Sequence, residues 1–350
     1  MIESMHIKNF KCFKDFKLEG LSRINLIGGK NNVGKTALLE AIWLLPLPAN
    51  PGLFHQLLNL RSLPIRLDPE WLWGQVFQDV KGPLAISVKD GGFTKNLVLN
   101  VQLGLGIELG ASLTDISSSP IQNVKATLEI DDSVDNGFHQ KIRHVLSLDN
   151  KVTTQLDFSK NPSVPSILIS YVSSRNHSIA EVGKYSALNN DGRGDEVLEL
   201  IKIVAPEIKD LSVSSLPGEP SLMYAGIQES TNKVPLSRFG DGVHRAFSLI
   251  TTILNCKNGI VLIDEIENGF HYSVMPAIFK ALAAAAEKMS CQIFATTHSY
   301  ECLEAARESL GDKPGDFKYI RLDRLDDNIV ATTYSNEGFA RSIEHEWELR

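Results

Sequence analysis

The sequence predicts an α/β fold: a mainly parallel core sheet around a phosphate-binding loop, an added antiparallel β layer, and a helical or irregular insertion. Three stretches predict it. Residues 29–36 read Gly-Lys-Asn-Asn-Val-Gly-Lys-Thr, between a short apolar strand (23–27) and a segment with helical apolar spacing (37–45). Gly259-Ile260-Val261-Leu262-Ile263 is an unbroken apolar run closed by Asp264 and Glu265. Such runs mark strands covered on both faces, as at the centre of a parallel sheet. Residues 292–297 form a similar core strand, closed by His298.

Strand, glycine loop and helix together aim backbone N–H groups and the positive end of a helix dipole at a bound phosphate. Gly34 lets the backbone approach the phosphates, Lys35 reaches the outer ones, and the Thr36 hydroxyl ligates Mg²⁺. The expected nucleotide-binding set from this loop is Gly29, Asn31, Asn32, Val33, Gly34, Lys35, Thr36 and Ala37.

At 350 residues the chain has room for one large or two ordinary domains. Hydrophobic residues make up 43% and charged residues 22%, enough for a sizeable core. A net charge of −7 argues against coating nucleic acid by bulk charge and leaves room for a local basic patch. No apolar run reaches membrane-spanning length, and residues 1–6 lack a signal-peptide layout. Cys12, Cys256, Cys291 and Cys302 have no paired CxxC spacing, and read as small buried apolar residues in a reducing cytoplasm.

In chain order, residues 5–10 and 11–18 alternate as strands, the second with its lysines on one solvated side. Residues 46–83 are an irregular insertion rich in Pro, Leu and Trp, in which Trp71 and Trp73 read as anchors to the core. Residues 84–165 read as an antiparallel β subdomain, with strands at 84–88, 96–101 and 124–130 and a turn at Asp90-Gly91-Gly92. Its polar part, 131–163, reads as a hairpin or a short mobile insertion. Residues 166–350 are the second half. Here 166–172 is an apolar run typical of a buried strand, 173–194 a polar segment, 196–205 a helix ended by Pro206, and 207–236 strands again. An alanine-rich helix at 273–288, a hairpin at 319–333 and a charged helix at 337–350 follow.

Residues 236–250 place a small glycine-containing loop directly before an amphipathic helix. Two readings stay open: a second helix N-terminus suited to an anion, or an ordinary cap with Gly240-Asp241-Gly242 as the turn. Asp264 and Glu265 stand beyond the carboxyl end of a core strand, where open α/β sheets bind ligands. Asp264 suits a Mg²⁺ contact and Glu265 a general base for an attacking water. Glu267, Asn268 and His271 either join this site or cap the next helix. His298 ends its strand as Asp264 does, placed to hydrogen-bond a terminal phosphate or to position the water.

Together these pieces resemble the ABC-type ATPases, in the branch of RecF, SMC heads and OLD-like (overcoming lysogenisation defect) proteins, over nearly the whole chain. Asn9-Phe10-Lys11 resembles the opening Asn-Phe-Arg/Lys of such heads, which implies that Lys11 lies near the nucleotide. Residues 29–36 resemble Walker A in its Asn-Asn variant, 260–265 Walker B with its glutamate, 267–271 a D-loop, and His298 the switch histidine. Residues 236–245 resemble a degenerate signature motif. Ser237, Gly240, Asp241 and Gly242 are its candidate residues, with Ser237 or Gly240 in the serine position. A Q-loop glutamine stays open among Gln56, Gln75 and Gln78. The resemblance implies a P-loop NTPase fold of ABC/SMC-head type as a single ATPase domain over 1–350, with ATP and Mg²⁺ as cofactors and Mg-dependent ATP hydrolysis. It also implies an ATP-sandwiched homodimer, or a higher even oligomer, in which one copy's signature helix completes the other's site. The absence of a long heptad segment argues against SMC-type arms. About fifty residues after His298 leave little room for the Toprim nuclease of full OLD-like proteins.

The first expected function is a cytoplasmic ATPase that regulates a separate effector, a nuclease among the candidates, in anti-phage defence. A second is a DNA-repair head like RecF, with the lysines of 8–17, Arg61, Arg66 and Arg143 lining a groove for DNA. A third, the nucleotide-binding subunit of a transporter, is disfavoured by the degenerate signature, and no membrane partner is expected. The guanine-reading Asn-Lys-x-Asp is absent, since Asn150-Lys151 is followed by Val152-Thr153, which argues against a GTPase.

Overall fold

The computed structural model describes residues 1–47, 73–103, 124–135, 137–147, 152–157, 167–173, 180–214, 221–228, 232–311 and 315–344. Gln56, Arg61, Arg66, Trp71 and the Asn150-Lys151 pair lie outside them.

Alternation builds the first sheet. In β1 (Ile2–Phe10) and β2 (Phe13–Glu19), Met5, Ile7, Phe10, Phe13, Phe16 and Leu18 are buried, while Lys8, Lys14 and Lys17 face out. After β3 (Ile24–Gly28) and α1 (Lys35–Trp43) come β4 (Leu84–Asp90), β5 (Phe93–Leu103), β6 (Val124–Val134), β7 (Phe138–Ser147) and β8 (Val152–Asp157). These form a seven-stranded antiparallel sheet in the order β2-β1-β4-β5-β6-β7-β8. Of the two readings of 131–163, the described residues therefore form the hairpin, and it is longer than its polarity suggested. Ile130 and Ile142 point inward, and the polar residues on either side of them pair across the strands: Arg143 with Glu129 at 2.8 Å, Lys141 with Asp131 at 3.7 Å.

The second half adds β9 (Ile169–Val172), α2 (Ala180–Asn190), α3 (Gly194–Val204), a three-stranded sheet of β10 (Ile208–Ser214), β11 (Leu222–Ile227) and β12 (Lys233–Pro235), then α4 (Asp241–Leu254). It continues through β13 (Ile260–Ile263), α5 (Met275–Met289), β14 (Gln292–Thr296), α6 (Tyr300–Leu310), β15 (Phe317–Leu325), β16 (Asn328–Tyr334) and α7 (Asn336–Glu344). The core sheet runs β16-β15-β3-β14-β13-β9, parallel except for β16. Every residue of β3, β13 and β14 is buried, as their apolar runs predict. They divide their side chains between two apolar layers: Leu26, Val261, Ile263, Ile293 and Ala295 face the layer of α3 to α6, while Ile27, Ile260, Leu262 and Phe294 face that of α1 and the first sheet.

Two expectations change, and one helix falls in a stretch given no reading from the sequence. β9 is an edge strand among the described residues, with Ile169 and Tyr171 only half-buried, because β13 is the one described strand that pairs with it. The polar segment 173–194 contains α2, which buries Tyr185 and Leu188 among polar neighbours and so shows no clean apolar stripe. Directly after His298, α6 starts where Ser299 caps it, the Oγ accepting from Cys302 N at 3.1 Å. Among the described residues no helix is long and apolar enough to cross a membrane. All four cysteines are unpaired thiols, three of them buried.

Candidate nucleotide site

The parallel register gathers the site. Thr296 pairs with Ile27 and Ala295 with Ile263, so the chain leaves β3, β14 and β13 side by side. Those exits are residues 29–36, His298, and Asp264-Glu265.

The loop after β3 turns through left-handed backbone at Gly29 (φ 129°), Asn32 (φ 62°) and Gly34 (φ 92°). Both glycines are also required for space. A Cβ on Gly29 would lie 2.3 Å from the Leu322 carbonyl oxygen, and one on Gly34 2.5 Å from Cys12 Sγ. The loop is thus wedged between β15 and the β1–β2 turn. Gly34 caps α1, Val33 and Ala37 are buried beneath it, and Asn31 and Asn32 are exposed. Lys35 Nζ donates to the carbonyls of Gly29 (2.7 Å) and Lys30 (2.9 Å), and Arg324 Nη2 donates to that of Asn32 (3.1 Å). Burial lowers the Lys35 pKa, opposed by Glu267, Asp264 and Glu265.

One threonine joins the two acidic residues. Thr296 Oγ1 donates to Asp264 Oδ1 at 2.7 Å and accepts from the Glu265 N–H at 2.8 Å. Thr36 Oγ1 donates to the same Asp264 oxygen at 3.2 Å. Glu265 sits at φ 50°, an uncommon conformation for a residue with a side chain. Asn268 Nδ2 donates to Glu265 Oε2 at 2.7 Å. Glu267 Oε1 accepts from the His298 N–H at 2.9 Å and lies 3.0 Å from its Nδ1. The turn residues therefore divide: Glu267 and Asn268 join the carboxylate group, whereas His271 Nδ1 caps the 3-10 turn Tyr272–Val274. Sequence reasoning missed Thr296. Its one signal was a hydroxyl as the last residue of a core strand.

The Thr36 hydroxyl and Asp264 carboxylate are hard oxygen donors converging on one point. Among the described residues no group of three or more His, Cys, Asp or Glu forms a metal cage. Two protein oxygens completed by phosphate and water suit Mg²⁺, so the residues present fit it. Burial pushes the Asp264 carboxyl up, opposed by its two hydroxyl donors. An acid with a raised folded pKa favours its protonated form in the native chain, so this group weakens the fold as pH rises through the raised value. Asp264→Asn is expected to melt higher than the parent without nucleotide at pH 7, the gap closing below the ordinary Asp value of about 3.9. Thermal melts across pH check this; an unchanged midpoint at pH 7 contradicts it.

Lys11, also left-handed (φ 50°), places its ammonium on the Glu40 carboxylate of α1. That pair ties the β1–β2 turn to the helix behind the loop. Glu40 is 1% exposed, and breaking a buried pair costs about 3–5 kcal/mol. Lys11→Met is therefore expected to lower the melting midpoint clearly, with Lys11→Met/Glu40→Gln recovering most of the loss; calorimetry reads both.

The signature candidates stand at the start of α4. Leu236–Phe239 is a 3-10 turn, Gly240 (φ 89°) caps α4, and Ser237, Gly240 and Asp241 are exposed. Gly242 packs close to the Gly269 carbonyl, which a Cβ would approach to 3.2 Å. Gln75 and Gln78 sit by the end of β1, where Gln78 N donates to the Asn9 carbonyl at 3.3 Å.

Fold and loop define a P-loop ATPase of the ABC/SMC-like class. The chain belongs to the family described as "AAA domain, putative AbiEii toxin, Type IV TA system", whose model matches residues 129–304, half of its length, and residues 1–103 match the "AAA ATPase domain" model. A Helicobacter pylori protein named ATP/GTP phosphatase is 24% identical over 381 aligned residues, spanning 100% of both chains. The DNA replication and repair protein RecF of Idiomarina loihiensis is 42% identical over 60 residues, 17% of each chain. A crystal structure of an Smc head bound to the C-winged helix domain of ScpA covers 97% of this chain and 99% of its own, at 12% identity and a TM-score of 0.51, a likeness of fold.

Proposed function

We propose that the chain is an ATP-hydrolysing switch that forms an ATP-sandwiched homodimer and regulates a separate effector protein in anti-phage defence. One observation carries the dimer: the loop and carboxylates converge, while Ser237, Gly240 and Asp241 stand exposed at the N-terminus of another helix. An open helix N-terminus favours a negative charge, and a facing copy can offer it one. Lys35 and the loop N–H groups hold phosphate oxygens, and Thr36 and Asp264 hold Mg²⁺. Glu265, oriented by Asn268, accepts the proton of the attacking water. His298, fixed by Glu267, hydrogen-bonds the terminal phosphate. Bound Mg-ATP supplies the transferable phosphoryl group. The defence role draws support from the toxin–antitoxin wording of the family description. The separate effector draws support from the Smc head, which was solved with a partner domain.

Native mass spectrometry of the untagged protein from lysate, with ATP, with GTP and without nucleotide, tests this. The expected result is an even stoichiometry with ATP and a second co-purifying chain. A monomer that purifies alone in all three overturns it.

The RecF-like stretch favours a second reading, an ATP-dependent DNA-repair head. Against a basic groove on β1–β2 and β7, Lys8 pairs with Asp15 (3.8 Å), Lys14 with Asp327 (3.1 Å) and Arg143 with Glu129 (2.8 Å). Duplex binding that needs ATP and weakens steeply with salt would support this reading.

A further inference from the structure

Glu265 is held in a conformation that its own chain does not favour. Its φ of 50° lies in the left-handed region, where a residue with a side chain persists only if its surroundings fix it. Thr296 supplies much of that fixing. Its Oγ1 accepts from the Glu265 N–H at 2.8 Å, and its carbonyl accepts from the next amide, the Ile266 N–H, at 3.0 Å. Thr296 is 1% exposed and ends a core strand, and that strand is anchored beyond it: the Thr297 N–H donates to the Ile27 carbonyl at 2.9 Å. Asn268 closes the same turn, its N–H donating to the Glu265 carbonyl at 3.0 Å and its Nδ2 to Glu265 Oε2 at 2.7 Å.

The place calls for a hydroxyl. The Glu265 N–H needs an acceptor, while Asp264 Oδ1, 2.7 Å from Thr296 Oγ1, takes a donor. A hydroxyl does both at once: its proton goes to Asp264 and a lone pair stays for Glu265. Valine has the same branched shape and can do neither. Serine can do both, with a freer χ1 than the branched threonine. A strand end that needed only shape and strand preference would take valine as readily as threonine. Here one buried oxygen instead meets two polar groups of the site.

We infer that Thr296 is a positioning residue for hydrolysis: its hydroxyl pins the Glu265 backbone in the left-handed turn, and so sets the direction in which the Glu265 carboxylate meets the attacking water. The inference rests on the reading of Glu265 as the base. A general base must come within about 3 Å of the proton it takes. A base displaced by an ångström loses rate while substrate still binds. Without the hydroxyl the Glu265 N–H loses its acceptor, the left-handed turn relaxes, and the carboxylate leaves its line to the water. The phosphate contacts of residues 29–36 do not pass through Thr296, so binding is kept.

The test compares Thr296→Val, Thr296→Ser and Glu265→Gln with the parent chain. Thr296→Val should lower kcat about ten- to a hundred-fold, the usual loss for a residue that orients a reacting group, with KM for Mg-ATP nearly unchanged. Thr296→Ser should keep most of kcat. A packing role alone predicts the reverse order, since valine matches threonine in shape and serine does not. A second reading needs no turnover: hydrogen-exchange mass spectrometry of the nucleotide-free protein, on the peptide carrying Glu265. That amide should exchange faster in Thr296→Val and stay near the parent in Thr296→Ser. If the valine variant does not fold, Thr296→Ala carries both readings, again with Thr296→Ser as its control. Parental kcat in Thr296→Val, with Glu265→Gln slow, overturns the positioning role alone. So does a fall in kcat while the Glu265 amide stays as protected as in the parent. Parental turnover in Glu265→Gln overturns the base reading and this inference with it.

Discussion

Lys35→Ala is expected to lose measurable ATP binding while keeping its fold. Lys35 Nζ rests on the Gly29 and Lys30 carbonyls, at the mouth of a loop whose backbone is set by Gly29, Asn32 and Gly34. Hydrogen bonds to a charged group contribute about 1.5–3 kcal/mol each. Losing two of them to phosphate oxygens removes about 3 kcal/mol or more, at least a hundred-fold in Kd. Burial already disfavours the charged form of this lysine, so its removal is not expected to lower the melting midpoint. Isothermal titration with Mg-ATP reads the first effect and calorimetry the second. Binding within a few-fold of the parent would show that the phosphates are held elsewhere.

The second large effect is expected at Glu265. Glu265→Gln keeps the side-chain shape and an oxygen for the Asn268 donor, but loses the carboxylate that takes a proton. General-base catalysis contributes about 10²–10⁴-fold, so turnover should fall by at least a hundred-fold. ATP binding should persist, and dimers should accumulate because the state that holds them is no longer consumed. Phosphate release and size analysis on one sample separate these outcomes. Parental turnover would move the base to another carboxylate; Glu267, which holds the His298 N–H at 2.9 Å, is the next to examine.

The core of the fold was legible because it is written locally. Residues 29–36 and 260–265 state their chemistry in consecutive letters, and the apolar runs of β3, β13 and β14 read as doubly covered strands. What was not legible depends on neighbours distant in sequence. The apolar run at β9 reports an apolar surface and says nothing of its place at the sheet edge. The strands through 131–157 owe their polar residues to partners across the sheet, such as Glu129 with Arg143. The division of Glu267 and Asn268 from His271, and the bridging role of Thr296, follow from the register of β14 beside β13 and β3. Arg245 looks like an ordinary helix-surface cation until α2 and the turn at Gly269 close over it.

The position of β3 bears on how the protein is made. Its hydrogen-bonded neighbours are β14 and β15, so Ile24 waits for Ile293 on one side and Phe317 on the other, and Gly29 is braced by the carbonyl of Leu322. A ribosome therefore finishes the phosphate-loop motif long before it supplies the walls that shape it. Pairings this far apart in sequence form late and slowly. Nascent or prematurely terminated chains carry the complete motif yet have no formed site, so the loop cannot engage nucleotide until synthesis has passed the β15–β16 hairpin.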